Sequence, residues 1–207
     1  LHSFPTRRSS DLNQTVNEKR IFQPAKILNE VRRGIISSLK QTTTGGQKDG
    51  MDIAIISLAF YEDKVTLEYA GANNSIYIVH KPKEYHSIES AGEIGAKYTI
   101  HSVDEPQLLE LQADSMPLSI ADKMEDFKNN VIDLKRGDSI YVFTDGYADQ
   151  FGGPKGKKFK YPHLKQVLLS ICQKPMYEQQ EILSTTISNW KGELEQVDDM
   201  LIIGIRL

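Results

Sequence analysis

Two acidic segments hold the residues best suited to chemistry. In Ser139-Ile140-Tyr141-Val142-Phe143-Thr144-Asp145-Gly146 an apolar run delivers an aspartate at its C-terminal end. The glycine that follows lets the backbone turn sharply. A carboxylate in that position stands on a rigid element and faces solvent or a cleft, which suits a metal ligand. Asp-Gly is also a common turn dipeptide, so the plainer reading is that Asp145 only starts a turn. In the second segment, Gln196-Val197-Asp198-Asp199-Met200 leads into Leu201-Ile202-Ile203-Gly204-Ile205. Adjacent aspartates repel each other, and a cation taking one of them relieves the repulsion; a solvated acidic turn is the alternative. The donors on offer are carboxylates rather than clusters of His or Cys, which points to a hard cation such as Mg2+ or Mn2+. Neighbouring strands could bring Asp145 and Asp198 together, but spacing alone does not.

Other chemistry is weaker or excluded. Cys172 is the only cysteine, so there is neither an internal disulfide nor a multi-cysteine metal site. It lies in the apolar run Val167-Leu168-Leu169-Ser170-Ile171-Cys172 and reads as a buried thiol rather than a nucleophile. Gly152-Gly153-Pro154-Lys155-Gly156-Lys157-Lys158 lacks the Gly-x-x-x-x-Gly-Lys-Ser/Thr pattern of a phosphate-binding loop. It reads either as a basic flap, with Lys155, Lys157 and Lys158 contacting phosphate or a substrate protein, or as an exposed solvated loop. A haloacid-dehalogenase-type nucleophile is excluded, because Phe143 stands where the first aspartate of Asp-x-Asp-Gly would be needed. With 39% hydrophobic and 26% charged residues in 207, the composition is that of a soluble domain with a real core. The net charge of -3 argues against nucleic acid as a partner. No apolar run approaches the ~20 residues that span a bilayer, so no membrane contact is expected of this chain.

The elements that must position these residues follow from periodicity. From Pro24, the residues Ile27, Leu28, Val31, Ile35, Ile36 and Leu39 recur at helical spacing, with Arg32, Arg33 and Lys40 elsewhere on the wheel. Strands are expected over 53–60 and 65–70, joined by a turn at Glu62-Asp63-Lys64, and again over 75–80, which together suggest an antiparallel meander. Residues 97–103 and 108–111 could form a hairpin, Ser90-Ala91-Gly92-Glu93 reads as loop, and two further strands fall at 130–134 and 139–144. Leu164, Val167, Leu168 and Ile171 make one helix face, and a second helix runs over 176–190 with Ile182, Leu183, Thr186 and Trp190 inward. Met200 to Ile205 reads as a buried final strand. The class is α+β, a largely antiparallel sheet covered by helices.

The order of Asp49-Gly50-Met51-Asp52, Tyr69-Ala70-Gly71-Ala72-Asn73-Asn74, Met116-Pro117-Leu118, Gly137-Asp138-Ser139, Thr144-Asp145-Gly146 and Val197-Asp198-Asp199-Met200 resembles the PPM-type, PP2C-like phosphatases, and among them the SpoIIE-like modules. The resemblance covers about residues 24 to 207. It implies a β-sandwich of antiparallel sheets flanked by helices (α-β-β-α) with two Mg2+ or Mn2+ ions at one end. It implies Asp145 and Asp198 as metal ligands and, through the metal, as catalytic residues. Asp199, Gly146, Asp52 and Asn73 are then neighbours of the site. The implied activity is hydrolysis of phosphoserine or phosphothreonine in a protein by a metal-activated water, in bacterial signalling. The implied partner is a phosphoprotein, for example an anti-sigma-factor antagonist, and the implied location is the cytoplasm or the cytoplasmic end of a larger sensor. A degenerate phosphatase fold that only binds a phosphoprotein or regulatory partner is the alternative.

Three departures from that pattern stand out. The family's metal-bridging aspartate, in a segment resembling Asp-x-x-Gly-His-Gly, is not found before Asp49. Ser119 replaces the glycine usual after Pro-Leu, and Ala72 stands where relatives often carry histidine. Residues Ser3 to Leu12, SFPTRRSSDL, resemble one translated frame of a common sequencing adapter. On that reading residues 1–12 are a non-native tail, residues 13–207 are the phosphatase-type domain without its N-terminal part, and the chain itself is a weak or inactive enzyme. A short basic tail is the other reading.

Overall fold

A computed structural model describes residues 12–39, 50–80, 98–100, 106–120 and 124–207. In chain order the elements are α1 (Gln14–Glu18, wound as a π-turn), α2 (Pro24–Leu39), β1 (Ile53–Phe60), β2 (Val65–Ala72), β3 (Ile76–His80), β4 (Tyr98–Ile100) and β5 (Gln107–Leu111). Then come β6 (Asn130–Leu134), β7 (Ser139–Phe143), α3 (Gly146–Asp149), β8 (Phe151–Gly152), β9 (Lys157–Lys158), α4 (Tyr161–Ile171), α5 (Met176–Lys191) and β10 (Ile202–Arg206). The residues group into two compact units, and the chain passes between them at Ser75–Ile76, Leu111–Gln112 and Leu134–Lys135. The expected tail at 1–12 lies outside the described residues up to residue 11, as do Lys40, Asp49 and the loop expected at 90–93.

The first unit holds α1, α2 and an antiparallel sheet of order β1-β2-β6. Pro24 opens α2 where its missing N–H costs nothing. The stripe Ile27, Leu28, Val31 and Ile35 is buried against Ala70, Ala72, Met116, Leu118 and Phe127. Each such side chain contributes about 1.5–3 kcal/mol on leaving water. The helical wheel placed Arg32 away from this stripe, yet it is 5% exposed. Its guanidinium donates to the Glu125 carbonyl (2.8 Å) and Asn29 Oδ1 (3.1 Å) and lies 4.6 Å from the Phe127 ring. Burial presses its pKa down, and these polar partners, invisible in the periodicity, make the buried charge tolerable.

The second unit holds an antiparallel sheet of order β10-β7-β3-β5-β4, with the hairpin β8-β9, α3, α4 and α5. β4 pairs with β5 as the sequence suggested. β3 does not continue a meander after β2; it pairs with β5 and β7 in this second sheet. Its burial on both faces explains the departure, since Ile76, Tyr77, Ile78 and Val79 are all at most 2% exposed. Leu164, Leu168 and Ile171 of α4 and Leu183 of α5 pack on Tyr77, Tyr141 and Phe143. Ile182, Thr186 and Trp190 are half-buried. Two buried phenols tie α5 down: Tyr141 donates to Gln179 Oε1 (2.6 Å) and Tyr147 to the Leu183 carbonyl (2.9 Å). Burial pushes both phenol pKa values up. Cys172 is buried in the same core and its thiol is pushed up by burial, as expected of a structural cysteine.

The final strand departs from expectation in kind. β10 is an end strand of its sheet rather than a buried one, with Leu201 53% and Ile203 47% exposed. A continuous apolar run marks a strand but does not say whether both its edges are paired.

Candidate metal centre

β7 and β10 run antiparallel with Phe143 opposite Ile202, so the end of one strand and the start of the other share one end of the sheet. Thr144 fastens that end. Its N–H donates to the Leu201 carbonyl (3.0 Å), its hydroxyl donates to the Asp199 carbonyl (2.8 Å), and it accepts the Leu201 N–H (3.0 Å). On the far side of Asp145, Gly146 opens α3. A Cβ there would lie 2.4 Å from the Asp199 carbonyl oxygen, a backbone atom that cannot easily yield. Glycine is therefore required for this close approach. The two residues flanking Asp145 thus both touch the 198–201 segment, and Asp145, Asp198 and Asp199 share an exposed rim.

Hydrogen bonds shape the acidic loop. The Asp199 N–H donates to Asp198 Oδ1 (2.7 Å), and Gln196 Nε2 donates to the Asp198 carbonyl (2.8 Å). Gln150, fully buried, donates from Nε2 to the Glu195 carbonyl (2.9 Å) and accepts from the Val197 N–H (3.4 Å). Sequence reading missed Gln150 and Thr144. Thr144 could have been weighed as a hydroxyl beside a strand-end aspartate, whereas nothing in the sequence marks Gln150.

The all-oxygen donors fit a hard cation in kind. In number they fall short of an enclosed site, because among the described residues no group of three or more His, Cys, Asp or Glu side chains is placed to hold a metal.

The other expected site residues are placed as follows. Asp52 and Asn73 come together in the first unit, Asn73 Nδ2 donating to Asp52 Oδ1 at 2.9 Å. Asn73 has a left-handed backbone (φ 56°), which asparagine tolerates, and its N–H donates to the Asp114 carbonyl (3.0 Å). Ala72 and Ser119, two of the departures from the family pattern, are both buried. The stretch 151–158 folds as the β8-β9 hairpin. Lys155 and Lys157 are exposed, while Lys158 pairs with Asp149 (2.8 Å) beside Phe151.

This architecture of antiparallel sheets and helices is the PP2C-like phosphatase fold. It is similar to the SiaA-PP2C domain of Pseudomonas aeruginosa, with TM-score 0.72 and 24% identity over 98% of this chain and 67% of that one. The phosphatase domain of the cell fate determinant SpoIIE from Bacillus subtilis, Mn presoaked, aligns over 100% of this chain and 73% of its own, with TM-score 0.44 and 16% identity. No curated protein matches. The family model for stage II sporulation protein E matches residues 6–207, and the chain belongs to that SpoIIE family. Among the described residues no helix is long and apolar enough to cross a membrane.

Proposed function

We propose that the chain is a metal-dependent protein serine/threonine phosphatase domain acting on a phosphoprotein. The observation that carries the reading is the clasp that sets Asp145 at the end of β7 between two residues in contact with Asp199, within a family of phosphatase domains. Asp145 and Asp198 would hold Mg2+ or Mn2+, with Asp199 orienting Asp198 through its N–H. A cation bound there offsets negative charge on the phosphoryl oxygens and makes a nearby water more acidic. The protein's own part is to hold the carboxylates still: Thr144 and Gly146 fix the strand ends, and Gln150 fixes the approach to Asp198. The expected substrate is a phosphoserine or phosphothreonine protein, an anti-sigma-factor antagonist being the kind the resemblance implies. A second reading, a phosphatase fold that binds a phosphoprotein without turning it over, is favoured by the shortage of converging donors among the described residues.

Assay of phosphoserine-peptide hydrolysis against titrated Mn2+ and Mg2+ separates the two. Slow turnover that rises with cation into the millimolar range and vanishes with chelator supports the phosphatase. Phosphopeptide binding with no turnover at any cation concentration favours the binding module.

The basic hairpin gives a narrower expectation. Lys155 and Lys157 are available to a protein substrate, whereas Lys158 is engaged with Asp149. Replacing Lys155 and Lys157 by Gln should weaken hydrolysis of a phosphoprotein several-fold and leave an aryl phosphate unaffected, as screened surface charge predicts. Equal effects on both substrates would mark the hairpin as a solvated loop.

A further inference from the structure

The hairpin β8-β9 is tied to both carboxylates of the rim, and we propose that a phosphoprotein seated on it orders the Asp198 segment. The inference rests on the reading above that a phosphoprotein meets this hairpin, and it adds how the cation site answers. Residues 192–199 are all exposed and so lack an apolar anchor. Their main chain is held instead by Thr144 at Asp199 and by Gln150 at Glu195 and Val197. Gln150, fully buried, also donates from Nε2 to the Phe151 carbonyl (3.0 Å), where β8 begins. One amide thus serves the hairpin and the acidic loop together. The Gln150 carbonyl accepts the Phe159 N–H (2.9 Å) as the chain leaves the hairpin. A buried amide stripped of its partners is costly, so hairpin base and loop stay joined.

The second tether runs to Asp145. Asp149 closes α3, the turn that follows Asp145, and its N–H donates to the Asp145 carbonyl (2.9 Å). The Asp149 carboxylate pairs with Lys158 of β9 (2.8 Å), and the Lys160 N–H, just past β9, donates to the Ala148 carbonyl (2.6 Å). Trp190 lies against the same hairpin: its carbonyl accepts the Gly153 N–H (2.7 Å), and a Cβ on Gly153 would be 2.8 Å from its ring. An ordered Asp198 holds a cation more tightly than a loose one. Coupling between two sites is reciprocal, so a cation on the rim in turn tightens the hairpin's hold on the phosphoprotein.

A phosphoserine peptide titrated in the presence of chelator tests this without cation or turnover. Trp190 fluorescence should report its binding, and at saturation the Val197 amide should exchange at least about fivefold more slowly, the lower end of ordinary coupling. Gln150→Met, close in size but unable to bond, should keep the Trp190 titration and abolish the slowing. No titration overturns the proposal, as does an unchanged Val197 amide at saturation. Slowing that survives Gln150→Met overturns it too, because the peptide would then cover the loop itself. Lys158→Gln cuts the other tether at the surface, where folding is not at stake, and decides the matter if Gln150→Met does not fold. Its Mn2+ affinity, read by water proton relaxation, should fall. Loss of a cationic neighbour alone would raise that affinity, so a rise or no change overturns the proposal. Coupling without turnover at any cation concentration would remove the phosphatase reading and leave this one; turnover without coupling would do the reverse.

Discussion

Asp145→Asn and Asp198→Asn should each lower turnover of a phosphoserine peptide by orders of magnitude while leaving the thermal midpoint of unfolding unchanged. Both side chains are exposed, so replacing a carboxylate by its amide removes charge without opening a cavity. The packing at this end of the sheet is carried by Thr144 and Gly146 through backbone contacts that neither substitution touches. What changes is the attraction for a cation: with so few converging donors, loss of one formal charge leaves little to hold the ion. Binding read directly, by the effect of Mn2+ on water proton relaxation, should weaken in both variants in step with turnover. Near-normal turnover of both at saturating Mn2+ would remove Asp145 and Asp198 from the site. Asp199→Asn serves as the comparison. Its part is played by a backbone N–H, so it should cost less than either.

The largest effect on stability should come from Gly152→Ala. A Cβ at that position would lie 1.8 Å from the Trp190 carbonyl oxygen, 2.5 Å from its carbon and 2.7 Å from its ring. None of these atoms is the loose end of a side chain. The same junction carries the Gly153 N–H to the Trp190 carbonyl (2.7 Å) and the Trp190 indole N–H to the Gln150 carbonyl (3.2 Å). Overpacking of this kind typically costs ~1–3 kcal/mol, occasionally more, and here it acts on backbone, so we expect at least about 3 kcal/mol. Denaturant unfolding followed by Trp190 fluorescence measures it directly, since Trp190 is the only tryptophan. A loss below about 1 kcal/mol would mean that the hairpin and the end of α5 can part without cost.

What the sequence made legible is what periodicity and strand-end chemistry encode. The apolar stripe from Ile27 to Ile35 is buried as expected, and the strands expected over 53–60 and 65–70, the helix face Leu164 to Ile171 and the helix expected over 176–190 are found at 53–60, 65–72, 161–171 and 176–191. Asp145 and Asp198 come to one end of a sheet because β7 and β10 pair, a fact carried by long-range register and absent from either segment alone. For the same reason the assignment of β3 to a second sheet was not legible, because an apolar run does not name its partner. Buried Arg32 was misplaced because its acceptors, the Glu125 carbonyl and Asn29, come from tertiary contact and local geometry rather than from pattern. Gln150 was missed because a fully buried glutamine serving main-chain groups has no sequence signature.

The chain's repeated passage between its two compact units, at Ser75–Ile76, Leu111–Gln112 and Leu134–Lys135, limits how the molecule can be dissected. β3, β5 and β7 of one sheet are interleaved in sequence with strands and loops of the other unit. Neither unit corresponds to a continuous stretch of gene, so no pair of cloning boundaries yields one without fragments of the other. An expression fragment beginning at Lys135, for example, would carry Asp145, Asp198 and all of α4 and α5, yet would leave β7 without its neighbour β3. Modular swapping of the carboxylate rim between relatives must therefore be done residue by residue and not by exchange of a cassette.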